Sequence, residues 1–301
     1  MHMDVYFRRV VELEEDVREL LDMLRWRRVI SAGDVVLLKP NFCGELRKGV
    51  TTNLELLECV VSLLRDRAER VLVGESESPY KNLEGIFGKL KLEAELVNLS
   101  RVPGRRFGRG ARAFELPELV FESKIVNLPV LKTHVLTVVT LGIKNLFGFV
   151  AERDKARYHH CIDDVLMEVL ELVRPQVCIN LLDATFAMDG SGPMDGRVLK
   201  PGFLMASRDV VALDVAACRV AGVEPVRVPH IRRAVERYGG RVEIHGSEPP
   251  AMKLRMPEGA GVHRWIAEMQ RFSLVRWVMD REPVKSAGRR VMEWMSRGDE
   301  G

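Results

Sequence analysis

The run Val35-Val-Leu-Leu38, followed at once by Lys39-Pro40-Asn41, decides the fold of this 301-residue chain. Four consecutive apolar residues are typical of a strand that is buried on both faces, as in a parallel sheet. Similar runs alternate along the chain with helix-length amphipathic segments; they are Arg70–Val73, Glu95–Leu99, Lys124–Leu131, Val177–Leu182 and Phe203–Ala206. The alternation predicts an α/β fold over residues 30–247, a doubly wound and mostly parallel sheet with helices on both faces.

The two ends of the chain lie outside this pattern. Residues 1–29 carry a charged helical pattern from Val10 to Trp26, which predicts an N-terminal helix packed on the core. Residues 248–301 show no strand pattern and predict a helical C-terminal extension. Trp265, Met269 and Phe272 recur in it at helical spacing. We therefore expect the extension to pack on the core or to join two copies of the chain, with a membrane surface as the lesser alternative.

Composition limits the function classes that the chain can serve. Hydrophobic residues make up 47% and charged residues 30% of the sequence, which argues against a disordered protein. The 46 basic and 43 acidic residues nearly cancel, which argues against a protein that mainly coats nucleic acid. The apolar runs are too short to span a bilayer, and no signal-peptide core follows Met1, so we expect a cytoplasmic protein.

Five cysteines, at positions 43, 59, 161, 178 and 218, are scattered and form no C-x-x-C pair. This spacing argues against a disulfide framework, a zinc ribbon and an iron–sulfur cluster within this chain. We expect most of these thiols to be small buried side chains.

Polar residues follow the predicted strands at the points where the strands end. In an open α/β sheet, ligands bind outside the carboxyl ends of the strands, so these residues are expected to share one rim. The alternative is that strand ends are polar in any protein. The rim candidates are Lys39, Asn41, Glu75, Lys132, His134 and Asp183.

The segment after His134 sharpens this prediction. A helix over Leu136–Phe147 would place Thr137, Thr140, Lys144 and Asn145 on one side. A solvent face in so charged a protein would carry more Glu and Arg, so this side is expected to form the wall of a pocket. A short amphipathic helix with a small polar face is the alternative.

Three aspartates and a glycine loop add further candidates. Asp214 stands in an apolar run, where it is expected either to orient a site lysine or to pair with an arginine. Asp183 and Asp189 are hard oxygen donors suited to magnesium or manganese. The loop after Asp189 contains Gly190 and Gly192, which can turn backbone N–H groups toward an anion.

The adjacent pair His159-His160 is expected to be exposed to solvent. The alternative is that His160 closes over a bound substrate, since charged loops at strand ends often act as lids.

Several motifs, taken in order, resemble a known family. They are Lys-Pro-Asn at 39–41, Thr51-Thr52, Lys-Thr-His at 132–134, Gly-Ile-Lys-Asn-Leu-Phe-Gly at 142–148, His160, Asp183, Met-Asp-Gly-Ser-Gly-Pro at 188–193 and Ala-Leu-Asp at 212–214. The chain is similar to the domain of unknown function 362 family over about residues 33–240. Members are often fused to ferredoxin-like modules, which implies a redox partner. This chain lacks the cysteine pairs of such a module, so no cluster is expected in it.

Three function hypotheses follow. The first is an enzyme acting on a small anionic metabolite, a carboxylate or a phosphate, which Lys39, Lys132 and Lys144 would hold. The catalytic candidates are Lys132, His134 and Lys144. His134 would act as general acid or base, and one lysine could be nucleophilic. The further substrate-binding candidates are Asn41, Thr52, Thr137, Asn145, His160, Gly190 and Gly192, supported by Glu75 and Asp214.

The second hypothesis is a non-catalytic accessory protein of a redox, iron–sulfur system. The third, a nucleic-acid binder, would use Arg105, Arg106, Arg109 and Arg112, which we expect in an exposed loop. Site lysines without carboxylate partners favour the enzyme, whereas lysines neutralised by carboxylates favour the accessory protein.

Overall fold

Eleven strands form one sheet in the computed structural model, which describes residues 3–44, 46–79 and 81–257. A separate hairpin of β5 and β6 adds two more. In chain order the strands are β1 (Met3–Arg9), β2 (Val35–Pro40), β3 (Arg70–Glu75), β4 (Glu95–Asn98), β5 (Gly104–Phe107), β6 (Phe114–Pro117), β7 (Lys124–Leu128), β8 (Val130–His134), β9 (Val138–Thr140), β10 (Val177–Asp189), β11 (Arg197–Leu199), β12 (Phe203–Ser207) and β13 (Val242–Gly246).

The sheet is mostly parallel. Its main path runs β13-β1-β12-β10-β7-β2-β3-β4, and along this path only β12 lies antiparallel to its neighbours. Strand β8 pairs in parallel with the second half of β10, and β9 pairs antiparallel with β8. The parallel α/β architecture predicted from the apolar runs is confirmed.

Eight α-helices connect and cover the strands in the described residues. They are α1 (Leu13–Met23), α2 (Leu54–Arg65), α3 (Leu83–Phe87), α4 (Leu119–Glu122), α5 (Gly142–Leu146), α6 (Ile162–Val173), α7 (Val210–Val220) and α8 (Pro229–Tyr238). Side chains alternate between the two faces of β2: Val36 and Leu38 pack with α1 and α2, whereas Leu37 belongs to the apolar cluster of α5 to α8. The sheet therefore has helices on both faces, as predicted.

Short polar residues fix where the helices begin. The Asn53 side chain accepts a hydrogen bond from the Glu55 backbone N–H before α2, and Asp209 accepts one from Ala212 before α7. Helix α8 begins at Pro229, whose missing N–H costs nothing in the first turn.

The charged pattern from Val10 to Trp26 forms helix α1 as predicted, but the residues before it form strand β1, which the prediction lacked. This strand pairs antiparallel with β12 and in parallel with β13. The alternation that buries Val5 and Phe7 carried that signal. The expected helix Leu136–Phe147 is instead strand β9 followed by the short α5, so tertiary pairing with β8 overrides helical propensity there.

Outside the main sheet, the arginine segment forms part of the β5–β6 hairpin rather than a plain loop. Arg105, Arg106, Arg109 and Arg112 are exposed in it, as expected. The predicted helical extension lies outside the described residues from position 258 onward. In the described part of the chain, no helix has the length and apolar character needed to cross a membrane.

Candidate functional site

The site lies where the winding of the sheet reverses. From β2 the chain moves outward through β3 to β4, and it then returns to β7 on the other side of β2. The carboxyl ends of strands on either side of such a switch point leave a crevice in which ligands bind. Lys39 is the penultimate residue of β2, Glu75 ends β3, and Lys132 lies in β8 just after β7, so the topology brings these sequence-distant residues together.

A buried carboxylate with two ammonium groups forms one side of the site. The Lys39 Nζ lies 2.8 Å from Glu75 Oε2, and the Lys81 Nζ lies 3.1 Å from Glu75 Oε1. All three side chains are at most 5% exposed. Burial alone would raise the pKa of Glu75, but the charges of Lys39, Lys81 and Lys155 outweigh it and lower the pKa to about 2.

Lys132 is buried and contacts no carboxylate in the part of the chain that the structure describes. Its Nζ donates to the Asn41 side-chain oxygen at 2.8 Å and to the Val50 carbonyl at 2.6 Å. Burial, together with repulsion from neighbouring lysines, lowers its pKa. Thr52 holds the loop in place, since its hydroxyl accepts the Asn41 backbone N–H and donates to the Leu128 carbonyl.

Four buried asparagines continue this network across the sheet. Asn41 Nδ2 donates to Asn145 Oδ1 at 2.9 Å, and Asn145 Nδ2 donates to Asn127 Oδ1 at 2.8 Å. Asn127 Nδ2 in turn donates to Asn180 Oδ1 at 3.0 Å. The chain of amides ties the loop after β2 to α5, β7 and β10, so these side chains position the site.

The segment Gly142–Gly148 is shaped by close approaches at both ends. A Cβ on Gly142 would lie 2.9 Å from Asp214 Oδ1, and a Cβ on Gly148 would overlap the end of the Lys39 side chain. The Gly148 carbonyl also accepts the Ser76 hydroxyl at 2.5 Å. Glycine at these two positions lets α5 lie directly against Asp214 and Lys39.

Lys144 on α5 is the lysine whose ammonium is left open. The side chain is half-buried, and its Nζ lies 4.9 Å from the centre of the Phe147 ring. It makes no hydrogen bond or ion pair with any residue in the described ranges. Burial lowers its pKa to about 8, and repulsion from Lys132 and Lys39 acts in the same direction.

Asp214 supports α5 rather than a lysine or an arginine, contrary to both expectations for it. Its oxygens accept the backbone N–H groups of Gly142 at 2.7 Å and of Ile143 at 2.9 Å. A carboxylate at a helix N-terminus satisfies donors that have no partner within the helix. Because the group is fully buried, its pKa is nevertheless raised to about 7.

His134 is a neutral imidazole with a defined tautomer. The Leu136 backbone N–H donates to Nδ1 at 3.1 Å, which leaves the ring proton on Nε2. Burial lowers its pKa well below the usual value, and the charges of Lys144 and Lys132 lower it further.

The segment between α5 and α6 also reaches this site. Burial and Lys144 lower the pKa of His159 to about 4. Lys155 donates to the Ser76 hydroxyl, and burial with repulsion from Lys81 lowers its pKa. His159 and His160 are both half-buried, so the expectation that they are solvent-exposed is wrong.

Comparison with known proteins gives the chain a family. The family described as Domain of unknown function (DUF362) matches residues 36–219, more than half of the chain. The chain belongs to this family. A thylakoid-associated protein from Synechocystis sp. is 30% identical over 227 residues, which cover 70% of each protein. A crystal structure of a Thermotoga maritima protein has a TM-score of 0.36 and 10% identity over 62% of this chain, which spans 53% of that protein.

In this DUF362 chain the backbone N–H groups of Gly190 and Gly192 already have protein acceptors. The Gly190 N–H donates to the Arg255 carbonyl at 2.9 Å, and the Gly192 N–H donates to the Gly190 carbonyl at 2.8 Å. A Cβ on Gly192 would overlap the Thr133 carbonyl. The expected anion cradle is thus a packing contact that supports the β8–β9 hairpin.

The geometry gives no support to a magnesium or manganese ion between Asp183 and Asp189. Both lie on β10, whose register against β8 shifts between Asp183 and Met188, and each carboxylate already has partners in the protein. Asp183 accepts the Asn53 and Thr185 N–H groups and the Thr185 hydroxyl. Asp189 pairs through both oxygens with Arg197.

A different group of potential metal ligands lies at the far edge of the sheet. Ligand atoms of Asp4, Glu243 and His245, on β1 and β13, lie within 4.8 Å of one another. His245 Nε2 already contacts Asp4 at 2.9 Å. Two of the three side chains are exposed.

Thr137 and Thr140 lie on the β8–β9 hairpin and not on a helix with Lys144. The Thr137 hydroxyl donates to the Val139 carbonyl at 3.1 Å, so the substrate-binding role expected for it has no free group. Thr140 lies opposite Lys132 in the hairpin and is buried.

Sequence reasoning missed several residues of the site. Asn127 and Asn180 are single amides inside apolar strands. Because a buried amide needs a hydrogen-bond partner, their positions in the sequence could have indicated a buried polar network. Lys81 lies between β3 and α3, and Lys155 begins a 3-10 helix before α6; neither position gave a periodic signal. Cys43 lies two residues after Asn41 and is half-buried.

Proposed function

We propose that this DUF362 protein is an enzyme that binds a small metabolite through a carboxylate or phosphate group at Lys144. The observation that carries the proposal is the half-buried Lys144 ammonium, which has no acceptor within the described ranges although four other lysines influence the same crevice. Like charges at one site are tolerable only with opposite charges to offset them. Glu75 offsets Lys39 and Lys81, and a bound anion would offset Lys144 and Lys132.

The lysines have different roles in this proposal. Lys39 and Lys132 are both buried and donate hydrogen bonds to protein oxygens. They therefore attract the anion electrostatically without contacting it. Lys144 contacts the anion itself. The sequence predicted that all three lysines hold the anion, whereas this proposal assigns direct contact to Lys144 alone.

His134 supports an activity beyond binding. As a neutral ring with its proton on Nε2, it can donate a hydrogen bond to a carbonyl or phosphoryl oxygen and polarise it. Its Nδ1 lone pair is engaged by Leu136, so a general-base role would require that hydrogen bond to break. We therefore assign His134 as a hydrogen-bond donor to the reacting group.

We keep the cytoplasm as the proposed location. The association of the Synechocystis relative with thylakoids makes attachment to a membrane surface the competing possibility. Fractionation of cells that express the full chain distinguishes the two locations.

A thermal-shift series tests ligand binding. Phosphate, sulfate or malonate at about ten times its Kd should raise the Tm of the full chain by about 2–5 °C relative to chloride at equal ionic strength. Lys144→Met should lose this shift and remain folded. Lys89→Met, which removes an exposed lysine, is the matched control and should keep it.

No shift with any of the anions, or an equal shift in Lys144→Met, would remove the proposal. Native mass spectrometry of the purified protein would name a retained ligand directly.

A further inference from the structure

Among the described residues the Thr140 hydroxyl has no hydrogen-bond partner, although Thr140 is only 4% exposed. Buried hydroxyl groups are almost always paired, because an unmade hydrogen bond leaves the cost of desolvation unrecovered. The neighbouring Thr137 and Thr133 hydroxyls both follow the rule, donating to the Val139 and Gly190 carbonyls. Thr140 therefore differs from the other threonines of its hairpin.

The register of the hairpin shows which face carries this hydroxyl. Thr140 lies directly opposite Lys132, and Val138 lies opposite His134. Directly opposed residues of antiparallel strands share a face, and residues two apart on one strand do so as well. Thr140, Lys132 and His134 thus lie on the same face, whereas Leu131 and Val139 on the other face belong to the apolar core.

We infer that the Thr140 hydroxyl binds the ligand by donating a hydrogen bond to an oxygen of its anionic group. The inference rests on the proposed function, since it concerns the same site. Three donors there have no protein acceptor in the described residues: the Lys144 ammonium, the His134 Nε2–H and the Thr140 hydroxyl. A carboxylate or phosphate group has only acceptor oxygens and complements all three.

Chain connectivity favours a common contact. Only three residues separate Thr140 from Lys144, and Asp214 fixes the start of the helix between them. The Lys144 ammonium selects for a negatively charged ligand. The Thr140 hydroxyl adds a directional hydrogen bond, so it selects for an oxygen acceptor on that ligand.

Thr140→Val tests this role, because valine keeps the shape and removes the hydroxyl. The probe is inorganic phosphate, titrated into the full chain by calorimetry. We expect the Kd to rise about 10- to 100-fold, the usual effect of losing a hydrogen bond to a charged group. Without phosphate, the urea midpoint of Thr140→Val should equal or exceed that of the parent, since an unpaired buried group is removed.

Two variants complete the design. Thr140→Ser keeps the hydroxyl and should restore most of the affinity. Thr137→Val removes a hydroxyl that is already paired, so it should lower the urea midpoint and leave the Kd unchanged. A Thr140→Val protein that binds phosphate as the parent does would overturn this inference alone. A parent that binds neither phosphate nor malonate would overturn the proposed function instead.

Discussion

The Lys39 ammonium lies 2.8 Å from the Glu75 carboxylate, and both groups are at most 3% exposed. A buried ion pair adds little net stability, because desolvation offsets the attraction, but the removal of one partner leaves an unpaired buried charge. Lys81 shares the same carboxylate, so the loss of Glu75 would leave two such charges.

Glu75→Gln should therefore lower the free energy of unfolding at pH 7 by about 3–5 kcal/mol, measured by urea denaturation. Glu84→Gln removes an exposed carboxylate paired with Arg101 and should cost less than about 1 kcal/mol. The folded pKa of Glu75 is about 2 against a usual 4.5, so its contribution is complete above pH 4.5 and is lost as the pH falls toward 2. Equal stability of the two variants at pH 7 would contradict this account.

The asparagine chain predicts coupled energies. Asn127→Ala leaves Asn145 and Asn180 each without one partner, and Asn180→Ala leaves Asn127 without one. Each single variant should cost about 1–3 kcal/mol, and the double variant should cost less than their sum by about 0.5 kcal/mol or more. Asn127→Ala combined with Asn98→Ala, three strands away, should be additive. Additivity in the first pair would show that the two amides act independently.

The core strands could be predicted from the sequence where burial on both faces allows only apolar residues. Parallel strands covered on both faces must be apolar throughout, so β2, β3 and β7 were found from their runs. The unbroken amphipathic period from Ile162 to Val173 likewise predicts a helix, and α6 has these bounds. The prediction of one helix after His134 was wrong. The apolar residues of this segment face the core from a short strand and a one-turn helix, and hydrophobic periodicity cannot distinguish that arrangement from a single helix.

The site was predictable only in part, for a related reason. Lys39, Glu75, Lys132 and His134 end or follow strands, so sheet topology alone gathers them. Lys81 and Lys155 lie in irregular segments whose paths depend on tertiary contacts. The role of Asp214 depends on the start of α5, which was placed wrongly, so its carboxylate could not be assigned to the Gly142 and Ile143 N–H groups.

Asp214 gives a pH dependence of the opposite sign to that of Glu75. Its folded pKa is about 7 against a usual 3.8, so the folded state binds more protons between these values. The associated stability is complete below pH 3.8 and is lost as the pH rises through 7. In urea unfolding at pH 4.5, 5.5, 6.5 and 7.5, the stability of the parent minus that of Asp214→Asn should fall steadily. Asp66→Asn, at an exposed helix end, controls for the lost charge; a constant difference for Asp214→Asn would refute the assignment.

Lys144 determines how anion binding should depend on pH. Its folded pKa is about 8, below the usual 10.5, so without a ligand the free energy of unfolding should rise between pH 8 and 10.5. The affinity for an anion that requires the ammonium should be constant below pH 8. Above pH 8 this affinity should fall about tenfold for each pH unit. Sulfate is the suitable probe, because it does not titrate in this range.

Lys144→Arg supplies the matched variant for that measurement. Its guanidinium stays charged beyond pH 12, so sulfate affinity in Lys144→Arg should change much less between pH 7 and 10 than in the parent. Any pH dependence of sulfate affinity that remains in Lys144→Arg would come from Lys39 and Lys132, because burial also lowers their pKa values. Identical pH profiles for the parent and Lys144→Arg would mean that another group carries the charge that the anion requires.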